Sequence, residues 1–188
     1  RLYSKEALGV FNQVYAVFIF FSQLAVFGIH FSVGEAIPKH LQDRDQAARI
    51  TGSACLVAAV WSSVIVMVVL RTSGWIGALL DSPGIGIGII YCAAGLWFFS
   101  LNKILLAVLN GYRYMRAFAV LNAARSVLLL FWFLILWQEK GCPKTIPVIF
   151  PLGEMTLLGI LIAVMATMRI PISLRGCGDW MRRHVVFG

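Results

Sequence analysis

Acidic residues are scarce. Eight Asp and Glu stand against sixteen Lys and Arg, and charged residues of both signs make up 13% of the 188-residue chain. A soluble domain carries about twice that charged fraction, so an ordinary water-exposed surface is excluded. Cysteine is sparse as well: Cys55 and Cys92 fall within apolar runs, Cys142 and Cys177 in separate connecting segments, and no C-x-x-C spacing occurs. That excludes a disulfide framework and a thioredoxin-like or zinc motif, and leaves these residues as small hydrophobes. His30, His40 and His184 are too scattered for a metal site. The run Gly84-Ile85-Gly86-Ile87-Gly88 lacks the Lys-Ser/Thr ending of a phosphate loop and enters an apolar stretch, so it permits flexibility or close helix approach instead. Nothing in these patterns calls for a cofactor.

What the chain has in abundance is apolar sequence. Hydrophobic residues make up 60% of it and the mean hydropathy is +0.86. Five stretches, 8–31, 50–70, 84–109, 117–137 and 145–168, each approach or exceed the length needed to cross a bilayer, since about 20 residues at about 1.5 Å rise span roughly 30 Å of hydrocarbon. Lipid tolerates no unpaired backbone polar groups, and no alternating β-barrel pattern is present. The sequence therefore predicts an all-α polytopic membrane bundle of five transmembrane helices, residues 1–168, followed by a basic linker at 169–188.

The net charge of +8 would point to nucleic acid in a soluble domain. Here the basic residues sit between spans and report orientation, so no nucleic-acid partner is expected and the lipid bilayer is. Loops 32–49, 110–116 and 169–188 carry nine of them: Lys39, Arg44, Arg49, Arg113, Arg116, Arg169, Arg175, Arg182 and Arg183. The opposite side carries five: Arg1, Lys5, Arg71, Lys140 and Lys144. The richer side is expected to be cytoplasmic, with residue 1 outside and residue 188 inside. An external start at Arg1, without a signal-peptide pattern, leads to the expectation that a further span precedes it and that the chain is an internal fragment.

Local signals mark the boundaries. Gly34 and Pro38 follow the first span, and Asp43 and Asp45 precede the second, where carboxylates meet the positive end of a helix dipole. Asp81-Ser82-Pro83-Gly84 and Gly141-Cys142-Pro143 read as turns before the third and fifth spans. Trp75, Trp132 and Trp137 fall near outer span ends, where amphipathic rings favour the interface. Pro147 and Pro151 fit either a first helical turn or a kink.

Three charged residues lie within the spans, and an ionised group at mid-bilayer costs about 2.5–3.5 kcal/mol on insertion scales. By the helical rise, Arg125 lies about 12 Å from one face and Glu154 about 13.5 Å from the other. In a core of about 30 Å their depths differ by about 4–5 Å, so they either pair or face one cavity. Lys103 is shallower and within snorkelling reach of the interface. At 100° per residue Cys92, Lys103 and Asn110 share a stripe within about 20°, as do Asn12, Gln23 and His30. Asn122 stands one turn from Arg125 and Ser126. Taken singly, an Asn or Gln in a span simply bonds a neighbouring helix. Together the stripes predict a polar lumen whose candidate residues are Arg125, Asn122, Lys103, Asn12, Gln23 and Glu154, suited to an anionic, hydroxyl-rich ligand.

Several runs carry a family resemblance: 3–12 (YSKEALGVFN), 24–32 (LAVFGIHFS), 109–122 (LNGYRYMRAFAVLN) and 180–188 (WMRRHVVFG). In their order and spacing they resemble helices two to six of the polysaccharide flippases, including O-antigen transporters, of the multidrug/oligosaccharidyl-lipid/polysaccharide exporter superfamily. The resemblance implies one half of a two-bundle, twelve-helix transporter in a bacterial or archaeal cytoplasmic membrane, which is not an enzyme and carries an undecaprenyl-pyrophosphate-linked glycan outward by alternating access. It implies that Arg125, Asn122 and Lys103 touch the glycan or its pyrophosphate, and that Glu154 balances charge or joins coupling to H⁺ or Na⁺. The first helix and second bundle of that family are not in this sequence. Three alternatives stay open: an ion-coupled drug or metabolite antiporter of the same superfamily; a membrane glycosyltransferase or acyltransferase, for which Glu35, Asp43 and Asp45 form only a loose acidic set; and a non-transporting scaffold.

Overall fold

A computed structural model of the chain describes residues 5–138, 143–176 and 178–187. Residues 1–4, the predicted breaker Gly141-Cys142, Cys177 and the side chains of Lys5, Trp137 and Lys144 lie outside what is described. Among the described residues the structure is entirely helical, with α1 at Lys5–Val26, α2 at Ile29–Lys39, α3 at Arg44–Leu79, α4 at Pro83–Gly111, α5 at Met115–Gln138, α6 at Ile149–Thr167 and α7 at Gly178–Phe187. A 3-10 turn, Pro143–Val148, leads into α6. Five of these helices (α1, α3, α4, α5 and α6) contain segments long and apolar enough to cross a membrane, so the chain is a multi-pass membrane bundle.

The first predicted span, 8–31, is divided. Phe27 and Gly28 both take left-handed backbone angles, φ 47° and 69°, which ends α1 at Val26 and restarts the chain as α2. The left-handed region carries no strain at a residue without Cβ, so Gly28 is the natural site for the break. A break frees carbonyls that a continuous helix would satisfy. One is taken by the Trp61 indole, which donates to the Leu24 carbonyl at 2.8 Å.

Helix α3 runs well past the predicted 50–70. Asp43 caps it, its Oδ1 accepting the Gln46 N–H at 3.0 Å, and the 36 residues that follow reach about 54 Å at 1.5 Å rise, more than the bilayer's hydrocarbon. Gly74 and Gly77 do not break it, because its distal end lies against α4: a Cβ on Gly77 would stand 3.1 Å from the Gly86 nitrogen, and one on Gly86 3.0 Å from the Ser73 carbonyl oxygen. The Gly84–Gly88 run thus serves close helix approach. Gly88 does the same against α1, where a Cβ would come within 2.7 Å of Val14. Pro147 falls in the 3-10 turn and Pro151 in the first turn of α6, positions at which the missing N–H leaves no helical bond unmade.

Helix α4 is the centre, packing against α1, α2, α3, α5 and α6. More than half of its apolar window, 56%, is buried, against 6% for α5, so α5 forms an outer wall whose other face is open to lipid or to further protein. Two apolar cores stack along α4. One, at the basic end, gathers Ile29, Ile37, Ile50, Ile104, Leu109, Leu157 and Leu161. The other gathers Val14, Phe18, Val69, Ile85, Ile89, Leu96, Phe99 and Phe150. Between them lies a layer of buried polar side chains: Ser62, Ser100, Asn102 and Glu154.

The basic 169–176 segment folds back over the start of α3. The Ser173 N–H donates to the Ala48 carbonyl at 3.0 Å, and Arg44 Nη2 donates to the Arg169 carbonyl at 3.0 Å. Helix α7 then docks against α2 and α3 through Trp180, whose ring meets the edge of His40 at 5.4 Å, and through fully buried His184, whose Nδ1 lies 2.9 Å from Ser32 Oγ.

Two expected outcomes follow from this docking. A methyl group at Gly52 would overlap the Ser173 carbonyl, so Gly52→Ala should lower stability by about 1–3 kcal/mol, the usual cost of overpacking, and should expose 169–176 to protease; thermal unfolding in detergent with limited proteolysis measures both. Burial holds the His184 imidazole below its ordinary value of 6.5, outweighing the opposing pull of the Ile50 carbonyl. The undocked helix therefore takes up a proton first. Above pH 6.5 the two forms are both neutral and docking is unaffected, whereas below it docking weakens as pH falls. Protection of 178–187 against hydrogen exchange, normalised for the intrinsic rate at each pH, should fall between about pH 7 and 5, and His184→Gln should remove that dependence.

Candidate functional site

The polar layer is built around one carboxylate. Glu154, on the second turn of α6, is 2% exposed. Its Oε1 lies 2.9 Å from Arg125 Nε of α5, and its Oε2 accepts from Asn102 Nδ2 of α4 at 2.8 Å. The same amide nitrogen also donates to the Glu154 backbone carbonyl at 2.8 Å. Three helices are thereby tied at one level by a single acidic side chain. A buried carboxylate without partners would carry a desolvation penalty of several kcal/mol, which the cation and the amide offset.

Arg125 is not fully used by this pair. Its side chain is 16% exposed, and its guanidinium carbon lies 4.5 Å from the centre of the Phe99 ring. The Nε–H is not well directed at Glu154 despite the short separation, and both Nε and Nη2 lack a hydrogen bond. Lys103 Nζ also lies over Phe99, at 5.8 Å, so one ring gathers both intramembrane cations. Two cations against one carboxylate leave a single excess positive charge.

That excess borders a cavity of about 410 Å³ between α2, α4 and α5, lined by His30, Phe31, Gly34, Lys103, Leu106, Ala107, Asn110, Phe118 and Asn122. His30 Nδ1 is buried there without a hydrogen-bond partner. Its walls come from α2, which restarts after Gly28, from α4 and from the first turns of α5. Chemically it offers an ammonium, an imidazole and two amides.

Of the six candidates read from the sequence, the structure joins Arg125 to Glu154 directly and puts Lys103 and Asn122 on the cavity wall. Asn12 and Gln23 are exposed on α1 and do not line this cavity. Trp132, expected at the interface, donates to Thr156 Oγ1 at 3.1 Å between α5 and α6; Trp75 is 68% exposed near the end of α3. Asn102 and Phe99 were not singled out from the sequence. The available signal for Asn102 was an amide within an apolar run, next to Lys103 and 100° around the helix from it. Among the described residues no group of three or more His, Cys, Asp or Glu is placed to hold a metal. Cys55 and Cys92 are free thiols.

No family model matches the chain, and no curated protein or solved structure matches it either.

Glu154→Gln keeps an acceptor for Asn102 but leaves Arg125 uncompensated, so it should destabilise the bundle by about 3–5 kcal/mol, as for one broken partner of a buried pair. Combining it with Arg125→Met should recover most of that loss. Thermal unfolding of the two single variants and the double variant gives the coupling directly; equal, additive losses would mean that the two charges do not depend on each other.

Proposed function

We propose that the chain is the substrate-binding half of a membrane transporter that moves a lipid-linked oligosaccharide across the membrane by alternating access. The observation that carries this reading is the cavity at the polar layer. It lies inside a membrane bundle, carries the Lys103 ammonium on its wall, and is rimmed by Asn110 and Asn122, while Arg125 stands behind it over the Phe99 ring that Lys103 also meets. Ammonium and guanidinium donors fit a pyrophosphate, and amides fit sugar hydroxyls. The family resemblance adds the undecaprenyl carrier, a second bundle that completes the passage, a bacterial or archaeal inner membrane, and an orientation with the basic end in the cytoplasm. On this reading the protein alters the position of its ligand and not its bonds, so it is not an enzyme.

The geometry supports the binding roles in this reading. Lys103 has no carboxylate partner within salt-bridge distance among the described residues, so it contributes to an incoming anion the charge that Glu154 cancels at Arg125. Arg125 Nη2, buried without a partner, supplies a second donor. Asn122 and Asn110 face the same space from α5 and α4. A second reading, an ion-coupled antiporter, is favoured by one observation, the buried carboxylate of Glu154, whose occupation by H⁺ or Na⁺ would release Arg125.

The two readings separate in proteoliposomes containing the complete protein. A polyprenyl-pyrophosphate oligosaccharide carrying a dithionite-quenchable fluorophore should become accessible from the opposite leaflet. Lys103→Gln should slow that movement by roughly ten- to a hundredfold, because a hydrogen bond to a charged group contributes about 1.5–3 kcal/mol. Thermal unfolding should be nearly unchanged, since Lys103 is half-buried and forms no salt bridge among the described residues. Movement of a soluble cargo driven by an ion gradient, with the lipid-linked substrate left in place, would favour the antiporter and defeat the flippase reading.

A further inference from the structure

Helix α7 has two unlike faces. Its inner face holds Trp180 and His184 against α2 and α3. At 100° per residue Arg182 and Val186 project almost opposite His184, with Val185 beside them. All three are exposed, Val185 at 56% and Val186 at 72%. The segment before the helix repeats the pattern, with Ile172 53% and Leu174 66% exposed next to exposed Arg175. Apolar side chains therefore stay uncovered among cations, on the side turned away from the bundle.

The position of this surface identifies what covers it. Residues 169–176 are bonded across the first turns of α3 through Ser173 and Arg44, and α6 ends at Thr167. The segment thus sits where the spans leave the hydrocarbon, at the level of the lipid headgroups. Between residues 169 and 186 it carries Arg169, Arg175, Arg182 and Arg183 against the single acid Asp179. Apolar groups interleaved with arginine match an interface in which acyl chains lie below and phosphates above.

We propose that the outer face of residues 172–186 is a lipid-docking surface that selects anionic phospholipids, with Val185, Val186, Ile172 and Leu174 entering the acyl boundary and Arg175 and Arg182 holding headgroup phosphates. The docked inner face gives this surface a consequence. Ser32, which holds His184, lies on α2 between the cavity-lining residues His30, Phe31 and Gly34, so headgroups bound at α7 bear on the helix that forms the cavity wall. The lipid assignment itself stands apart from the transport reading.

Photocrosslinking tests it. The complete protein, with p-benzoylphenylalanine in place of Val186, is reconstituted in vesicles of phosphatidylcholine and phosphatidylglycerol at about 7:3, and lipid adducts are identified by mass. The expected result is phosphatidylglycerol adducts at least about twofold above its mole fraction, falling to the mole fraction in Arg175→Gln/Arg182→Gln and in high salt, where exposed charges are screened. The same photoreactive residue in place of Val127, 65% exposed on α5, reports a folded, inserted bundle in every variant, and the salt arm needs no variant at all. Adducts in proportion to mole fraction in the unsubstituted background would overturn headgroup selection. Cross-links only to protein, or none, would overturn lipid docking altogether.

Discussion

One carboxylate, Glu154, sets the terms for the rest of the structure. It is 2% exposed at the middle of the bundle, and in an apolar surrounding it must be compensated on both oxygens. Asn102 supplies one partner from α4 and Arg125 the other from α5, which fixes the rotation of both helices relative to α6. Apolar packing alone would leave such rotations loosely specified, because lipid tails compete with side chains on nearly equal terms. The two apolar cores then fill the space on either side of this layer. Arg125 is drawn over Phe99 by the same constraint, and Lys103 is left facing the cavity with its charge uncancelled.

Close backbone approach is the second organising device. The α3–α4 hairpin is held at Gly77 and Gly86, and α1 meets α4 at Gly88. The far end of α4 is approached as closely, since a Cβ on Gly111 would stand 2.9 Å from the Ile37 side chain of α2. There α2 has been set off from α1 by the left-handed pair Phe27 and Gly28. The cavity lies between this second segment, α4 and α5.

The number of apolar helices was legible in the sequence because it depends on long uninterrupted stretches, the strongest signal a membrane chain carries. The ends of those helices were less so. Gly74 and Gly77 looked like loop residues beyond a span ending at 70, yet α3 continues to Leu79, since a glycine that weakens an isolated helix costs little where it admits a neighbouring backbone. The break at Phe27–Gly28 was equally hidden inside an apolar run, where composition says nothing of φ. At the site, depth along each helix brought Arg125 and Glu154 to nearly the same level, but not Asn102, because its partner is specified by rotation about α4 and not by depth. Asn12 and Gln23 illustrate the converse. Their spacing put them on one stripe of α1, and a stripe alone does not say which way a helix turns when both its neighbours are apolar.

The helices of this bundle are tied together unevenly, and the unevenness bears on the proposed transport. The polar layer and the glycine contacts join α3, α4, α5 and α6 through bonds that are costly to break in a medium without water. Helix α2 is attached differently. It is preceded by two residues already in left-handed conformations, it lines the cavity with His30, Phe31 and Gly34, and its polar tie to the chain's end is the contact between Ser32 and His184. Its apolar face, with Ile29, Val33 and Ile37 fully buried, is also packed into the core at the basic end, so any movement about Gly28 has to repack that core while it leaves the Glu154 cluster intact. The proposed alternating access would draw on this difference between a fixed charge centre and a short helix with a backbone break at its start.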